Sequence, residues 1–226
     1  MVILIPVDVI IPALNASSTI EATVRSVRAK VRGVIVVDGG SSDDTVSIAK
    51  YSGAKVGSAP RGRGGQLAAG AGESVSDWLL FLHGDTLLQK GWDDEIRSFI
   101  DETKGKELAA AFRFRLDDDR RRARMIEKGV AWRCRTLGLP FGDQGLVISR
   151  RFYDRLGGFK PVPLFEDVDI VRRIGKARIR MLDSAAITSA ARYRNAGYIF
   201  VPIRNLILLT LYFCGVAPRI LARFYV

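Results

Sequence analysis

The sequence predicts an α/β protein built on a mixed, mainly parallel sheet. Short apolar runs at residues 7–11, 33–37 and 78–82 each stop at a punctuating residue: Pro12, Asp38, and the triplet His83-Gly84-Asp85. Helix-forming stretches separate them, so strand and helix alternate from residue 7 to about residue 104, the pattern of βαβ units. The last run, Trp78-Leu79-Leu80-Phe81-Leu82, is apolar without interruption, as in a strand buried on both faces.

Taken in order, residues 7–11 form a first strand expected to break at Pro12. Ser18-Thr19-Ile20-Glu21 reads as a capping box opening a helix to about Lys30. The second strand, 33–37, ends in Asp38. Gly39-Gly40-Ser41-Ser42-Asp43-Asp44 is a loop and helix start, and that helix runs to about Tyr51, closed by Gly53. A weaker third strand, 55–58, precedes a glycine-rich basic loop, Arg61-Gly62-Arg63-Gly64-Gly65, and a further helix. Right-handed crossovers place the ends of the first, second and fourth strands on one rim, where open α/β sheets bind ligands. Asp85 then falls in the site, although Gly-Asp-Thr is equally turn chemistry. Asp38 can accept from ribose hydroxyls or a base N–H, or serve the turn that follows it. Pro12-Ala13-Leu14-Asn15 stands where a dinucleotide fingerprint would need G-x-G-x-x-G.

After residue 105 the pattern changes. Residues 108–117 alternate apolar and charged side chains, predicting a half-exposed strand of antiparallel kind. Residues 120–135 form a very basic helix, either a solvated face or a contact for anionic lipid headgroups or an acceptor phosphate. Gly138-Leu139-Pro140-Phe141-Gly142-Asp143-Gln144-Gly145 requires tight turns and can present backbone N–H groups; a strand at 146–149 follows. Glu166, Asp167 and Asp169 open a helix to Ile174. The helix dipole accounts for one of them. A carboxylate buried beside another can acquire a raised pKa and act as a base. Residues 199–216 are strongly apolar but contain Pro202, Arg204 and Asn205, with Pro218, Arg219 and Arg223 beyond. That predicts one or two amphipathic helices, lying in a membrane interface, packing on the core or forming a dimer.

The bulk numbers fit one domain with an appendage: 226 residues, 48% hydrophobic. A net charge of +11 favours anionic partners. Basic and aromatic residues do not interleave as in base-stacking surfaces, which argues against nucleic acid. Cys134 and Cys214 show no metal spacing and suit a reducing cytoplasm. The N-terminal apolar run is too short for a signal peptide, and none reaches the ~20 residues that span a bilayer.

Ile10-Ile11-Pro12-Ala13-Leu14-Asn15, Val36-Val37-Asp38-Gly39-Gly40-Ser41-Ser42-Asp43-Asp44-Thr45, Phe81-Leu82-His83-Gly84-Asp85, Gly157-Gly158-Phe159 and Glu166-Asp167 occur in that order. Together they resemble the family 2 glycosyltransferases of the GT-A fold, a Rossmann-like nucleotide-binding architecture. The closest look is to small bacterial enzymes with VDGGS and H-x-D variants. The resemblance implies a catalytic domain over 1–195, with a nucleotide-binding half to about 105 and an acceptor half from about 106, and an amphipathic tail over 196–226. It implies a nucleoside diphosphate sugar donor, UDP- or GDP-linked, bound by Pro12, Ala13, Asn15, Asp38, Arg63, His83, Gly84, Asp85 and Gln144. Asp85 matches the last acid of D-x-D, which with His83 would hold Mn²⁺ or Mg²⁺. Asp167 matches the base that deprotonates a hydroxyl acceptor, with Glu166 positioning it. The implied acceptor is lipid-linked or otherwise amphiphilic, at the inner face of a bacterial membrane, and a homodimer could form through the C-terminal helices.

Four positions depart from the family pattern. His83 replaces the first acid of D-x-D. No later histidine exists, so Arg192 or Tyr193 would meet the diphosphate. Ala16 replaces an acidic residue, and an asparagine usual near Ala68 is missing. A nucleotidyltransferase, or a non-catalytic membrane-associated protein on the same fold, are the rival readings.

Overall fold

The computed structural model describes residues 4–103 and 105–225, so part of the N-terminal run, residues 1–3, lies outside the described residues. The first half contains β1 (Ile5–Ala13), α1 (Ile20–Arg28), β2 (Val31–Asp38), α2 (Thr45–Tyr51), β3 (Lys55–Ser58), α3 (Arg63–Glu73), β4 (Trp78–Phe81), β5 (Thr86–Leu88) and α4 (Trp92–Glu102). The second contains β6 (Ala109–Leu116), α5 (Arg121–Leu137), β7 (Leu146–Ser149), α6 (Arg150–Arg155), α7 (Glu166–Ile174) and β8 (Ile179–Thr188). It closes with α8 (Ala191–Ala196), α9 (Phe200–Phe213) and α10 (Pro218–Leu221).

One sheet runs through the molecule in the order β3-β2-β1-β4-β7-β6-β8-β5. The pairs β3–β2, β2–β1 and β1–β4 are parallel, as the alternating pattern requires. Beyond β4 the ladder is mixed: β4–β7, β7–β6 and β8–β5 are antiparallel, and β6–β8 is parallel. The run at Trp78 is apolar throughout because both faces of β4 are covered. Leu80 and Leu82 enter a core with Val9 and Ile11, while Leu79 and Phe81 enter another with Ile10 and Phe159. Burying each of these side chains stabilises the fold by ~1.5–3 kcal/mol.

Three local expectations differ from the structure. β1 does not break at Pro12 but continues to Ala13, paired with Asp38. Ile10 accepts from Leu82 N on the β4 side, so the N–H that Pro12 lacks would point the same way, beyond the end of β4. The capping box does not form. Thr19 makes no side-chain cap, and Glu21 instead pairs with Arg25 at 2.9 Å. The preceding turn is held from outside, by Ala16 N on Thr45 Oγ1 at 2.7 Å and Ser17 N on Asp43 at 3.1 Å. β6 is antiparallel to β7 but parallel to β8, and its first four residues are buried rather than half-exposed.

The C-terminal helices pack on the protein. Leu208, Leu209 and Leu221 share a core with Leu164, Phe165 and Val168 at the start of α7. The same helices leave Ile199, Phe200, Leu206 and Phe224 exposed. Among the described residues no helix is long and apolar enough to cross a membrane.

Candidate active site

An open cleft of about 1390 Å³ lies over the carboxyl ends of β1 and β4. β1 supplies Pro12 and Ala13, with Asn15 just beyond. The turn after β4 supplies His83, Gly84 and Asp85. α3 presents Arg63 and Gln66, and Arg61 and Arg192 add two more guanidinium groups. Asp85 is the single carboxylate on this wall among the described residues. Three guanidiniums around one carboxylate make a surface suited to a polyanion.

The loop after β2 is fixed by side chains expected to touch a nucleotide. Asp38 Oδ2 accepts from Gly40 N at 2.9 Å and Ser41 N at 3.0 Å, so turn chemistry occupies this carboxylate and it does not line the cleft. Asn15 Oδ1 accepts from Ser42 N at 2.9 Å, clamping the loop from the other side with φ at 49°. Gln66, not anticipated from the sequence, donates from Nε2 to Ala13 O and Val37 O, each at 2.8 Å, and stitches the ends of β1 and β2. Gln144 is buried and fully engaged. It donates to Phe112 O at 2.9 Å and accepts from Phe141 N and Arg133, each at 3.2 Å. It supports the 142–144 turn from beneath and is not on the cleft wall.

The second acidic focus converges on the first. Phe165, in the left-handed region with φ 63°, turns the chain into α7 and delivers Glu166 and Asp167 at its first turn. Backbone strain of this kind costs ~1–3 kcal/mol and is held by the packing of Phe165 on Tyr212, 5.0 Å between rings. Asp167 Oδ2 accepts from Gly142 N at 2.7 Å. A Cβ on Gly142 would sit 2.6 Å from His83 Nε2 and 3.4 Å from Asp167 Oδ2, so only glycine lets this loop run between them. His83, Glu166 and Asp167 line one narrow cavity. Arg63 Nε lies 3.5 Å from Glu166 Oε1 and lines both the large cleft and a second small pocket beside the acids.

Burial pushes His83 down to about 3, with Arg63 and Arg192 adding to the effect, so its imidazole is neutral at ordinary pH. Burial raises Asp85, and its hydrogen bonds and nearby arginines only partly offset this. Burial, then Asp167, raises Glu166 against the opposing charge of Arg63. Arg63 would be lowered by burial, but Glu166, Tyr225 and Asp167 together hold it above its ordinary range.

Asp143 carries no distinct signal in the sequence, where it is one polar residue in a glycine-rich loop. Its Oδ1 is buried with no hydrogen-bond partner among the described residues. Burial pushes it up to about 6, Asp167 and Asp85 adding and Arg133 opposing. The unfolded chain releases this proton near 3.8 and the folded chain only near 6, so stability is expected to fall as pH rises between those values. Burial raises Asp85 and Glu166 in the same direction, so Asp143→Asn should lessen, not abolish, the fall in melting temperature over that window; an unchanged pH profile would show that Asp143 does not contribute to it.

Among the described residues no three His, Cys, Asp or Glu side chains cluster as metal ligands. The site nevertheless fits one hard cation. Asp85 is a half-buried carboxylate facing the cleft whose pKa desolvation raises, and the neutral imidazole of His83 belongs to the same wall. Such an ion would take most of its oxygens from the ligand it accompanies.

Comparison with known proteins fits this geometry. The model of the family described as glycosyl transferase family 2 matches residues 8–157. An uncharacterized glycosyltransferase of Rickettsia felis is 37% identical over 103 residues, 45% of this chain and 36% of that protein. A counterpart from Rickettsia prowazekii is 36% identical over the same length and 35% of its own chain. The match thus spans about a third of these curated relatives. Glucosyl-3-phosphoglycerate synthase from Mycobacterium tuberculosis, crystallised with Mn²⁺ and UDP-glucose, superposes with a TM-score of 0.63 at 21% identity, over 93% of this chain and 79% of that one. S. aureus TarS 1-349 gives 0.64 at 17% identity, over 90% and 64%. These likenesses show the GT-A fold. With well over half of its 226 residues matched by the family model, the chain belongs to glycosyl transferase family 2.

Proposed function

We propose that this glycosyltransferase moves a sugar from a UDP- or GDP-linked donor to a hydroxyl of an amphiphilic acceptor with inversion, using Mn²⁺ or Mg²⁺, at the inner face of a membrane. The observation that carries the reading is Arg63, which stands in the wall of the polyanion cleft and 3.5 Å from Glu166 of the acid pair. Arg63 in that position would bring donor phosphates and the catalytic base to one place. In this reading the diphosphate lies against Arg61, Arg63 and Arg192, and the base and ribose lie toward Pro12, Asn15 and the loop that Asp38 holds. A divalent ion on Asp85 would neutralise charge developing on the departing nucleoside diphosphate. Asp167 takes the acceptor proton as the acceptor oxygen bonds to the anomeric carbon and the bond to the diphosphate oxygen breaks. Gly142 N–H fixes the orientation of Asp167. Glu166, raised and ion-paired, suits a positioning role rather than that of the ionised base. The catalytic unit would be residues 1–195 and the acceptor-side tail 196–226.

Nucleotide release from a panel of UDP- and GDP-linked hexoses, with and without Mn²⁺, tests the reading. Release from one donor class, accelerated by an added alcohol, supports it. No release from any donor contradicts it.

The membrane part rests on Ile199 and Leu206, 69% and 63% exposed, and on the basic residues Arg219 and Arg223 nearby in the chain. Ile199→Glu with Leu206→Glu should lower partition onto anionic liposomes by roughly tenfold or more, given ~1.5–3 kcal/mol for each buried side chain. Unchanged partition would remove the membrane from the account.

A further inference from the structure

Helix α9 carries a polar group that the fold does not use. Asn205 Oδ1 is buried and has no hydrogen-bond partner among the described residues. A buried acceptor left in that state is costly, and a ligand donating to it would recover the cost. Asn205 lines the small pocket that also holds Arg63, Glu166, Asp167 and Tyr225, with room for a hydroxyl-bearing end of a ligand.

One turn further on, the same helix forms the wall of a different space. Ile207, Leu208 and Leu211 face Ile220 and Phe224 across a groove of about 760 Å³ whose lining is apolar apart from Arg204. Pocket and groove adjoin. The Arg204 guanidinium of the groove lies 5.2 Å from the ring of Tyr225, which belongs to the pocket. Leu208 and Leu221 of the groove pack in one core with Leu164 and Phe165 of the pocket and form the wall between the two, so a ligand reaching both would pass over it beside Arg204 and Tyr225.

We infer that pocket and groove are one acceptor site for an alcohol with a hydrocarbon chain, in which Asn205 Oδ1 accepts from a head-group hydroxyl beside Asp167 and the chain lies between α9 and α10. The inference rests on the transferase reading and adds to it where the acceptor's head and chain lie and the residues that select them. A bilayer surface would cover Ile199 and Leu206, which lie outside the groove, but would not reach a pocket that holds the acid pair. A wholly polar acceptor would leave the groove without an occupant.

The probe is octyl β-glucoside, titrated below its micellar concentration into the full chain, with glucose as the head group alone and UDP with Mn²⁺ titrated in parallel. Saturable binding of octyl glucoside is expected, at least about tenfold tighter than glucose. Asn205→Leu and Asn205→Ala should each weaken it by about 3–10-fold, the worth of one hydrogen bond, while UDP binding is retained and the melting temperature of Asn205→Leu does not fall. Ile207→Asp should weaken it and Leu206→Ser should not. Equal binding by the Asn205 variants, equal binding of glucose, or an equal loss in Leu206→Ser overturns the inference. UDP binding without saturable probe binding overturns it alone; loss of UDP binding by the wild-type chain overturns the transferase reading as well.

Discussion

Asp167→Asn is expected to lower turnover by about 10²–10⁴-fold, the usual worth of a positioned general base, and to leave nucleotide affinity nearly unchanged. The substitution keeps the size and shape of the side chain. Its carboxamide oxygen can still accept from Gly142 N–H, which now holds Oδ2 at 2.7 Å, so the loop between His83 and Asp167 should stay in place. Only the capacity to receive the acceptor's proton disappears. The large cleft is lined by Arg61, Arg63, Arg192 and Asp85 and does not include Asp167, which is why nucleotide binding there should survive. Steady-state turnover with parallel nucleotide titration separates the two effects. A variant that turns over like wild type would remove Asp167 as the base.

Asp85→Ala has a comparably large expected effect, on binding rather than turnover alone. Asp85 is the one carboxylate among the described cleft residues, and burial already makes its charge costly. A cation on it relieves that cost, so metal and nucleoside diphosphate should bind together. Without Asp85, the ratio of nucleotide affinities with Mn²⁺ and with EDTA should fall to about one. Residual affinity should remain, because the three guanidinium groups still face the phosphates. An undiminished metal effect in the variant would mean that the ion is held elsewhere.

The strand ends and the acid pair were legible because each is local. The run at Trp78 announces burial on both faces, and Asp38, Asp85 and Glu166-Asp167 stand where a strand stops or a helix starts. What could not be read depends on partners remote in sequence. Pro12 stays in β1 because β4 ends where its missing N–H would point. Thr19 is not a cap because residues 43 and 45 already hold the turn before α1. β8 alternates weakly, with Arg180, Asp183 and Ser184 interrupting it, and exists as a strand because β6 and β5 flank it. Gln144 belongs to a glycine-rich loop that invites a ligand reading, yet its amide is used by Phe112, Phe141 and Arg133. Asp143 and Asn205 become visible only when a buried oxygen is found with nothing to accept from.

Calorimetric titration of the full chain with UDP and with GDP, each in Mn²⁺, Mg²⁺ and EDTA, tests the central claim most directly. The account predicts that one nucleotide binds, and that a divalent ion strengthens it in wild type but not in Asp85→Ala. Absence of binding by either nucleotide under all three conditions would contradict it.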